Sequence, residues 1–319
     1  MNAVGNMVSN YNVKKPKLLY IDRNGNIYPD CKTYKSPVIA HVYDKNVEER
    51  ILDYIFGKGK NGLFNMVTVE FSSLCHAKCF YCFQEDGHRG EPYKYYDEIM
   101  RLLMSLNIKW LFFSGGEILD QFEAMKFIQE VRRKDRNVWI HLKTNGNAKE
   151  DRVDFIAECC NSIMVSFNGF SSTTSEILMD VDVSVTKEFC KYVKNHTNTN
   201  LGLKYLSSPV SFIEINPFFE WALKLEAQCI VFQTVYNYSY NEKGICSRGD
   251  STFENLPTEY WSHIFTRTGD KFGKILEKNK NKLNKKKCFL SADKEFLDML
   301  PLDRGMSQFF RTDGVYHIE

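Results

Sequence analysis

Residues Val67–Phe83 read VTVEFSSLCHAKCFYCF, an apolar segment with strand character followed by a short loop that carries three cysteines. Cys75, Cys79 and Cys82 have the spacing C-x-x-x-C-x-x-C. Three thiolates in one loop can bind three irons of a 4Fe-4S cluster, and no fourth cysteine lies close in sequence. One iron would therefore keep a position open for a ligand that does not come from the protein.

Two other interpretations of the three cysteines stay open at the level of sequence. Free cysteines are common in protein cores, so the thiols can be unrelated to one another. They can also be three of the four ligands of a structural zinc ion. His76 lies inside the loop and cannot easily bend back, so zinc would need a distant Cys or His to complete its tetrahedron. The spacing favours a cluster without excluding zinc.

Strand-like and helix-like patterns alternate about six times from Met66 onward, with apolar residues of the longer stretches at helical spacing. The predicted strands are Val67–Phe71, Trp110–Phe113, Val138–Leu142, Ile163–Phe167, Leu201–Tyr205 and Ile230–Val235, and the predicted helices are Tyr95–Leu106, Phe122–Arg133, Val153–Cys160, Val185–Val193 and Phe218–Leu225. This alternation predicts βα units and a parallel sheet. Six units fall short of the eight of a closed barrel, so we predict an α/β fold, a partial (βα)6 TIM-like barrel that is open laterally.

Polar motifs that contain glycine follow three of the predicted strands. Ser114–Glu117 reads SGGE, in which two glycines let the backbone approach a ligand closely and a carboxylate can hold an ammonium group. The alternative is a tight turn whose Glu117 complements the next helix N-terminus. Thr144–Gly146 and Ser166–Gly169 end the third and fourth strands, where simple turn chemistry is also possible. Ligands of such folds gather at strand ends, where the cysteine loop also lies.

These motifs together resemble the radical SAM superfamily, from the C-x-x-x-C-x-x-C loop with its aromatic Tyr81 to the GGE motif one βα unit downstream. The resemblance covers about Met66–Tyr236. It implies that the three cysteines hold a 4Fe-4S cluster whose open iron binds the amino and carboxylate groups of S-adenosylmethionine (SAM). Reductive cleavage of SAM then yields methionine and a 5'-deoxyadenosyl radical that takes a hydrogen atom from the substrate. A one-electron donor such as flavodoxin or ferredoxin is implied as a partner.

The resemblance also assigns positions of this chain to SAM. Tyr81 would lie against adenine, Gly115, Gly116 and Glu117 would hold the methionine end, and Thr144, Asn145 and Ser166 would contact the ribose and carboxylate. The chain departs from peptide-modifying members at Asn168-Gly169, where those members usually have Asp-Gly followed by an Arg that reaches the SAM carboxylate. No Arg occurs from Phe170 to Val185. Lys187 or Lys204 would supply a point charge without a planar bidentate contact.

Residues 1–62 are predicted to form a small accessory region before the barrel. Leu18–Ile27 contains two apolar segments around Asn24-Gly25, which predicts a hairpin with a type I' turn. Gly57–Gly62 is a plausible linker. The segment that ends at Cys31 resembles the SPASM or twitch segment of many radical SAM enzymes, although that segment normally follows the barrel. An ordinary hairpin with a half-buried cysteine is the alternative.

The remaining cysteines carry weaker predictions. Cys159, Cys160 and Cys190 fall on helical faces and are expected in the core. Cys229 opens the sixth strand, either as a packed residue or as a thiol that donates a hydrogen atom to a substrate radical. An auxiliary Fe-S cluster would draw on the isolated residues Cys31, Cys246 and Cys288, which lack the close pairs that such sites usually show.

The barrel is predicted to span residues 63–245 and a helical covering region residues 246–319. Lys278–Lys287 reads KNKNKLNKKK, which is either a solvated loop or a docking patch for an anionic substrate or an acidic leader peptide. We expect Phe289–Glu319 to cover the open side of the barrel and to restrict the access of water, which radical chemistry requires.

Composition narrows the partners and the compartment. Lys and Arg number 42 against 40 Asp and Glu, a formal charge of +2, so no overall field favours nucleic acid or an acidic membrane. No stretch approaches the ~18 apolar residues of a membrane span, and the N-terminus lacks the apolar region of a signal peptide. Ten cysteines without a leader, three of them at cluster spacing, favour the reducing cytoplasm.

Three functions remain open from sequence. The leading prediction is modification of a ribosomally synthesised peptide by hydrogen abstraction, followed by crosslinking, epimerisation or oxidation. The second is dehydrogenation or rearrangement of a small sugar, aminocyclitol or nucleotide. The third is a metal-binding module without catalysis. No cobalamin-binding domain is visible, which argues against the subclass that methylates with cobalamin.

Overall fold

The computed structural model describes residues 17–29, 36–82, 90–148, 151–240, 246–253, 258–284, 288–300 and 310–311. Its strands are β1 (Leu18–Ile21), β2 (Asn26–Tyr28), β3 (Ala40–His41), β4 (Leu63–Glu70), β5 (Asn107–Ser114), β6 (Trp139–Thr144), β7 (Ser162–Phe167), β8 (Asn200–Ser207), β9 (Cys229–Thr234), β10 (Tyr236–Tyr240), β11 (Cys246–Ser251), β12 (Phe289–Ala292) and β13 (Phe310–Arg311). Its helices are α1 (Val47–Phe56), α2 (Tyr96–Ser105), α3 (Phe122–Lys134), α4 (Asp151–Cys159), α5 (Ser172–Met179), α6 (Val183–His196), α7 (Ile215–Lys224), α8 (Thr258–Asn284) and α9 (Lys294–Met299).

Six parallel strands, β4 to β9, lie side by side in chain order. They correspond to the six predicted strands, and α2, α3, α4 and α6 connect successive strands as the helical spacing indicated. The sheet runs from β13 at one edge to β3 at the other, and among the described strands these two edges do not pair. The predicted α/β fold, a partial barrel that is not closed, is confirmed.

Strands outside the six extend the same sheet at both edges. β1 pairs in parallel with β4 and in antiparallel with β2, which pairs with β3. On the other side β12 pairs in parallel with β9, and β13 with β12. The region before residue 62 therefore adds to the barrel sheet, and part of the C-terminal region continues it beside β9. The exact domain boundaries stay a prediction.

The hairpin between β1 and β2 forms, but the predicted type I' turn is wrong. Gly25 donates its backbone N–H to the carbonyl of Asp22 at 2.9 Å and has a φ of +80°. Asn24 is not among the residues with positive φ, which a type I' turn requires at both central positions. The connection is a three-residue turn, Arg23–Gly25, in which only the glycine is left-handed.

The sheet has two unlike faces because side chains alternate along each strand. The outer face, which carries Leu111, Phe113, Ile140 and Leu142, is buried under the helices in one apolar core. The inner face points away from that core and carries His141 and other polar side chains. This separation makes the inner face and the strand ends above it the place where a ligand can bind.

The predicted solvated loop at Lys278–Lys287 is wrong for most of its length, because α8 continues to Asn284. Lys282 donates from Nζ to the carbonyl of Leu223 at 2.6 Å, which ties this end of α8 to α7. Residues 285–287 lie outside the described residues. None of the helices in the described ranges has the length and hydropathy that crossing a bilayer requires.

Candidate functional site

The cysteine loop leaves the carboxyl end of β4 and is held from behind by the end of α5. Lys78 donates its backbone N–H to the carbonyl of Met179 at 2.8 Å, and Phe80 donates to the carbonyl of Leu178 at 2.9 Å. A surface ion pair at 2.5 Å between Lys78 and Asp180 adds to these contacts. The loop is therefore fixed by backbone hydrogen bonds that do not depend on its side chains.

The three predicted cluster cysteines lie in one loop, and two of them pack against the same apolar group. Cys75 and Cys79 pack with Tyr81 against a small buried apolar group, Ala77, Leu178, Met179 and Val181. Burial, together with the nearby Cys82 and Cys75, raises the pKa of Cys79 to about 12. Burial also raises the pKa of Cys75 to about 12, with Glu117 as the next cause. Without metal these two thiols are protonated at neutral pH, so metal binding must release their protons.

The SGGE motif packs directly on the segment that leads into Cys75. Gly116 donates its N–H to the carbonyl of Ser72 at 2.7 Å, and Glu117 donates to that of Leu74 at 2.9 Å. A Cβ on Gly116 would lie 2.0 Å from the carbonyl oxygen of Leu74, which is backbone and cannot yield easily. Gly116 is therefore required for the contact between the two loops, whatever ligand lies above them.

The Glu117 carboxylate is buried and joins the ends of two strands. One oxygen accepts hydrogen bonds from the N–H of Leu119 at 3.1 Å and the hydroxyl of Thr144 at 2.8 Å. The other accepts from the N–H of Asn145 at 2.7 Å. Burial raises the pKa of Glu117, and these three donors oppose the rise. The turn-capping role considered from sequence is thus present, and contact of Glu117 with SAM stays a prediction.

His76 connects the cysteine loop to the same junction, which sequence reasoning did not predict. Its Nδ1 lies 2.6 Å from the carboxylate of Asp120, and its backbone N–H donates to that carboxylate at 3.1 Å. This hydrogen bond is the main reason that the pKa of His76 is raised. The side chain of Asn145 lies 3.5 Å from the other ring nitrogen. Asp120 had no signal in the sequence, because it stands apart from every recognisable motif.

The structure brings most of the predicted site residues together. Cys75, Cys79, Cys82, Gly115, Gly116, Glu117, Thr144 and Asn145 lie in the connected loops at the carboxyl ends of β4, β5 and β6. Tyr81 stands edge-on to Phe80, with 4.9 Å between ring centroids. Ser166 is half-buried on β7, beside Lys204 of β8. Cys229 is buried in a small apolar cluster. These placements do not test contact with SAM.

The other charged residue considered for the SAM carboxylate is engaged elsewhere. Lys187 donates from Nζ to the carbonyl of Phe170 at 2.8 Å and lies 3.6 Å from the centroid of that ring. Of the candidate auxiliary ligands, Cys31 lies outside the described residues, the side chain of Cys246 is not described, and Cys288 is buried. Cys159, Cys160 and Cys190 are buried in the main core, as expected.

The donor set of the loop fits a 4Fe-4S cluster. Two thiols of the loop, those of Cys75 and Cys79, lie against an apolar wall, and Cys82 follows in the same loop. The other five cysteines whose burial the structure describes are buried elsewhere. In such a cluster each thiolate binds a different iron. Within the described ranges, no three His, Cys, Asp or Glu side chains are grouped so that they could hold one metal ion.

Comparisons with known proteins give a matching family model and similar folds. Residues 69–206 match the family model of the Radical SAM superfamily. In fold the chain is similar to hexahistidine-tagged anSMEcpe with bound AdoMet, with 18% sequence identity and a TM-score of 0.53 over 72% of this chain and 64% of that chain. It is also similar to native anSMEcpe with bound AdoMet and Cp18Cys peptide, with 20% identity and a TM-score of 0.51 over 68% and 62%.

A third similar structure is Streptococcus suis SuiB bound to S-adenosylmethionine, with 14% identity and a TM-score of 0.50 over 67% of this chain and 48% of that chain. The chain thus covers less than two thirds of the length of each of these three proteins. None of the curated proteins matches the chain in sequence.

Proposed function

Because residues 69–206 match the family model of the Radical SAM superfamily, we propose that this chain is a radical SAM enzyme, which cleaves SAM reductively at a 4Fe-4S cluster and uses the resulting radical to abstract a hydrogen atom from its substrate. The observation that carries this proposal is the packing of the cysteine loop on the SGGE motif. Hydrogen bonds from Gly116 and Glu117 to the backbone before Cys75 fix the cluster loop relative to the strand ends. Such fixed geometry is what a protein contributes when a cofactor carries the chemistry.

Each part of the site has a distinct role in this proposal. Cys75, Cys79 and Cys82 would hold the cluster by binding three irons as thiolates, and the chemistry supplied there would be one-electron reduction of the sulfonium of SAM. Glu117 holds the ends of β5 and β6 at a fixed separation through Thr144 and Asn145. The apolar group behind the loop keeps water away from one side of the cysteines. An external one-electron donor, such as flavodoxin or ferredoxin, restores the electron after each cleavage.

As the substrate we propose a ribosomally synthesised peptide, which the enzyme crosslinks, epimerises or oxidises. Support comes from the similar fold of anSMEcpe, whose structure contains a bound peptide. The open barrel also supports it, since among the described strands the sheet edges do not pair and an extended chain can enter from the side. The resemblance of the segment ending at Cys31 to SPASM or twitch segments points the same way.

The test compares two triple variants of the anaerobically reconstituted protein. Cys75, Cys79 and Cys82 are changed to alanine in one variant, and the core residues Cys159, Cys160 and Cys190 in the control. With SAM and dithionite we expect wild type and control to form 5'-deoxyadenosine and the first variant to form none. That variant should also lose about four irons per chain. Formation of 5'-deoxyadenosine by the first variant, or none by wild type, would contradict the proposal.

A further inference from the structure

Two lysines lie on the inner face of the open barrel, in adjacent rows of the parallel ladder. Partners in such a ladder point to the same side, and residues two apart on one strand share a face. The lower row contains Lys143, Met164, Gly202 and Cys229, and the row nearer the carboxyl ends contains Ser166, Lys204 and Val231. Met164 and Ser166 are both on β7, so the two lysines point into the same concavity from β6 and β8.

The surface beneath the lysines is apolar. Met164, Cys229 and Val231 form a buried cluster with Phe289 packed against it. Gly202 gives Met164 room to lie there, since a Cβ on Gly202 would be 2.8 Å from Cε of Met164. We call this apolar cluster the floor. It carries no negative charge that could balance the two ammonium groups.

Neither Lys143 nor Lys204 has an ion pair or hydrogen bond within the described part of the chain. The carboxylate of Asp293 raises the pKa of Lys204 through its charge. Asp293 already accepts hydrogen bonds from the backbone N–H groups of Thr234 and Phe296. By contrast Lys191, on the solvent side of α6, pairs with Glu188 one turn before it. Among the described residues, neither inner lysine therefore has an ion-pair partner, and the Asp293 carboxylate acts on Lys204 without pairing with it.

The charged form of each of these two lysines is disfavoured at its place in the fold. Burial lowers the pKa of Lys204 to about 8, and the charge of Lys143 contributes to this shift. Burial also lowers the pKa of Lys143, although its side chain remains accessible to water. A side chain in an open concavity can have a lowered pKa because protein surrounds it, and it can still be reached by water or a ligand. Like charges placed close together in such a site disfavour their charged forms until an anion neutralises them.

We propose that Lys143 and Lys204 bind an oxyanion of the substrate, a carboxylate or a phosphate, inside the open barrel. This proposal rests on the proposed function in one respect, which is that the molecule carrying the oxyanion is the substrate of the enzyme. Lys143 directly precedes Thr144 at the strand end, so the anion would be held just below the predicted SAM site. A substrate anchored there presents its neighbouring carbons to the radical. The substrate class is therefore an acidic one, whether peptide or small molecule.

The test measures how fast an amine-acylating reagent modifies each lysine in the reconstituted full chain, read by peptide mass spectrometry. Sodium phosphate and sodium succinate are compared with sodium chloride at equal ionic strength. We expect either anion to slow modification of Lys143 and Lys204 several-fold and to leave Lys191 unchanged. Equal rates in all three salts would overturn the proposal. The salt that protects better identifies the preferred oxyanion.

A second arm adds SAM alone in chloride. Protection of Lys204 by SAM would assign the lysine to the cofactor carboxylate and overturn the substrate assignment, whereas unchanged labelling supports it. In Lys143→Met, phosphate should no longer protect Lys204, while in the control Lys191→Met protection should persist. These measurements involve no turnover. Anions can therefore fail to protect the lysines in a protein that still forms 5'-deoxyadenosine, and they can protect the lysines in a protein that forms none.

Folding of the variants is checked by thermal denaturation. Lys143→Met removes an unpaired charge from the concavity, so its Tm in chloride should equal or exceed that of wild type. Phosphate should raise the Tm of wild type and of Lys191→Met, and it should leave Lys143→Met unchanged. An equal phosphate shift in all three proteins would show that the anion binds elsewhere.

Discussion

The two faces of the same strands differ in what they require of the sequence. On β5 and β6 the outer residues Leu111, Phe113, Ile140 and Leu142 are all buried in the core shared with the helices. Between them on the inner face stand residues as unlike as Phe112, His141 and Lys143. The outer face needs apolar side chains of suitable size and tolerates exchange among them. The inner face contributes less of the shared apolar core, so it can carry polar residues that take part in the chemistry.

The largest effect expected from this difference is on stability, at two neighbouring phenylalanines. Phe113 is fully buried on the outer face and stacks on Phe71 with 5.5 Å between ring centroids. Phe113→Ala should lower the free energy of unfolding by about 3–5 kcal/mol. Phe112, on the inner face, contacts His141 at 4.5 Å between centroids. Phe112→Ala should lower it by less than half as much, because the space it leaves opens toward the concavity.

Urea unfolding of wild type and the two alanine variants provides the measurement, with a common slope against denaturant as the check that the variants unfold in the same way. Equal losses at Phe112 and Phe113 would mean that the inner face is packed as tightly as the outer one. The distinction between the faces would then be wrong.

The outer face explains why so much of the fold could be predicted. A parallel strand covered by helices carries a near-continuous apolar run, and each of the six runs from Val67 to Val235 coincides with an observed strand. The helices α2, α3, α4, α6 and α7 were likewise indicated by their apolar spacing. The cysteine and SGGE motifs could be found because they stand at the ends of these strands. The spacing of apolar residues was sufficient to predict these strands and helices, and the position of the motifs at the strand ends was sufficient to predict the candidate site.

The elements that escaped prediction depend on distant contacts. Helix α5 begins with STTS, residues with weak helix propensity, and contacts from outside the helix add to its stability. The side chain of Glu214 accepts hydrogen bonds from the N–H of Phe170 and the hydroxyl of Thr174 at its start. The end of α5 carries Met179, to which the cysteine loop is bonded. The local cap, in which the Ser171 hydroxyl accepts from the N–H of Thr174, can be read from the sequence, but these contacts with distant residues cannot.

A second prediction concerns the buried imidazole of the inner face. Burial lowers the pKa of His141 to about 3, and the neighbouring charge of Lys143 acts in the same direction. The unfolded chain binds a proton at this residue below its ordinary pKa of about 6.5, whereas the folded chain does not. The stability that neutral His141 contributes is therefore complete above this value and is lost as the pH falls. From pH 7 to pH 5 the loss should be about 2 kcal/mol.

His141→Gln removes this titration and keeps a side chain that can hydrogen-bond to the hydroxyl of Ser162, the present partner of His141 at 2.8 Å. We expect the variant to lose about 2 kcal/mol less than wild type between pH 7 and pH 5, measured by urea unfolding at both values. His196→Gln, on the exposed end of α6, serves as the control and should follow wild type. If the two variants behave alike, His141 is not the group responsible.

The smallest effect is expected at a glycine of the inner face. In Gly202→Ala the new Cβ would lie 2.8 Å from Cε and 3.0 Å from Sδ of Met164, the far end of a flexible side chain that can turn away. The cost of moving it is offset in part by about 0.4–1 kcal/mol from the lower entropy of the unfolded chain. The net change in stability should stay within about 1 kcal/mol. Gly146, on the outer side, is the matched control.

In Gly146→Ala the residue would keep a φ of +67°, and its Cβ would lie 2.7 Å from Cγ1 of Val165 within the packed core. Backbone strain and overpacking then act together, so this variant should lose clearly more stability than Gly202→Ala. The displaced Met164 would meanwhile disturb the floor beneath Lys143 and Lys204. Gly202→Ala should therefore weaken protection of these lysines by phosphate while its unfolding is almost unchanged. A loss of stability as large as that of Gly146→Ala would show that the inner face, too, holds the fold together.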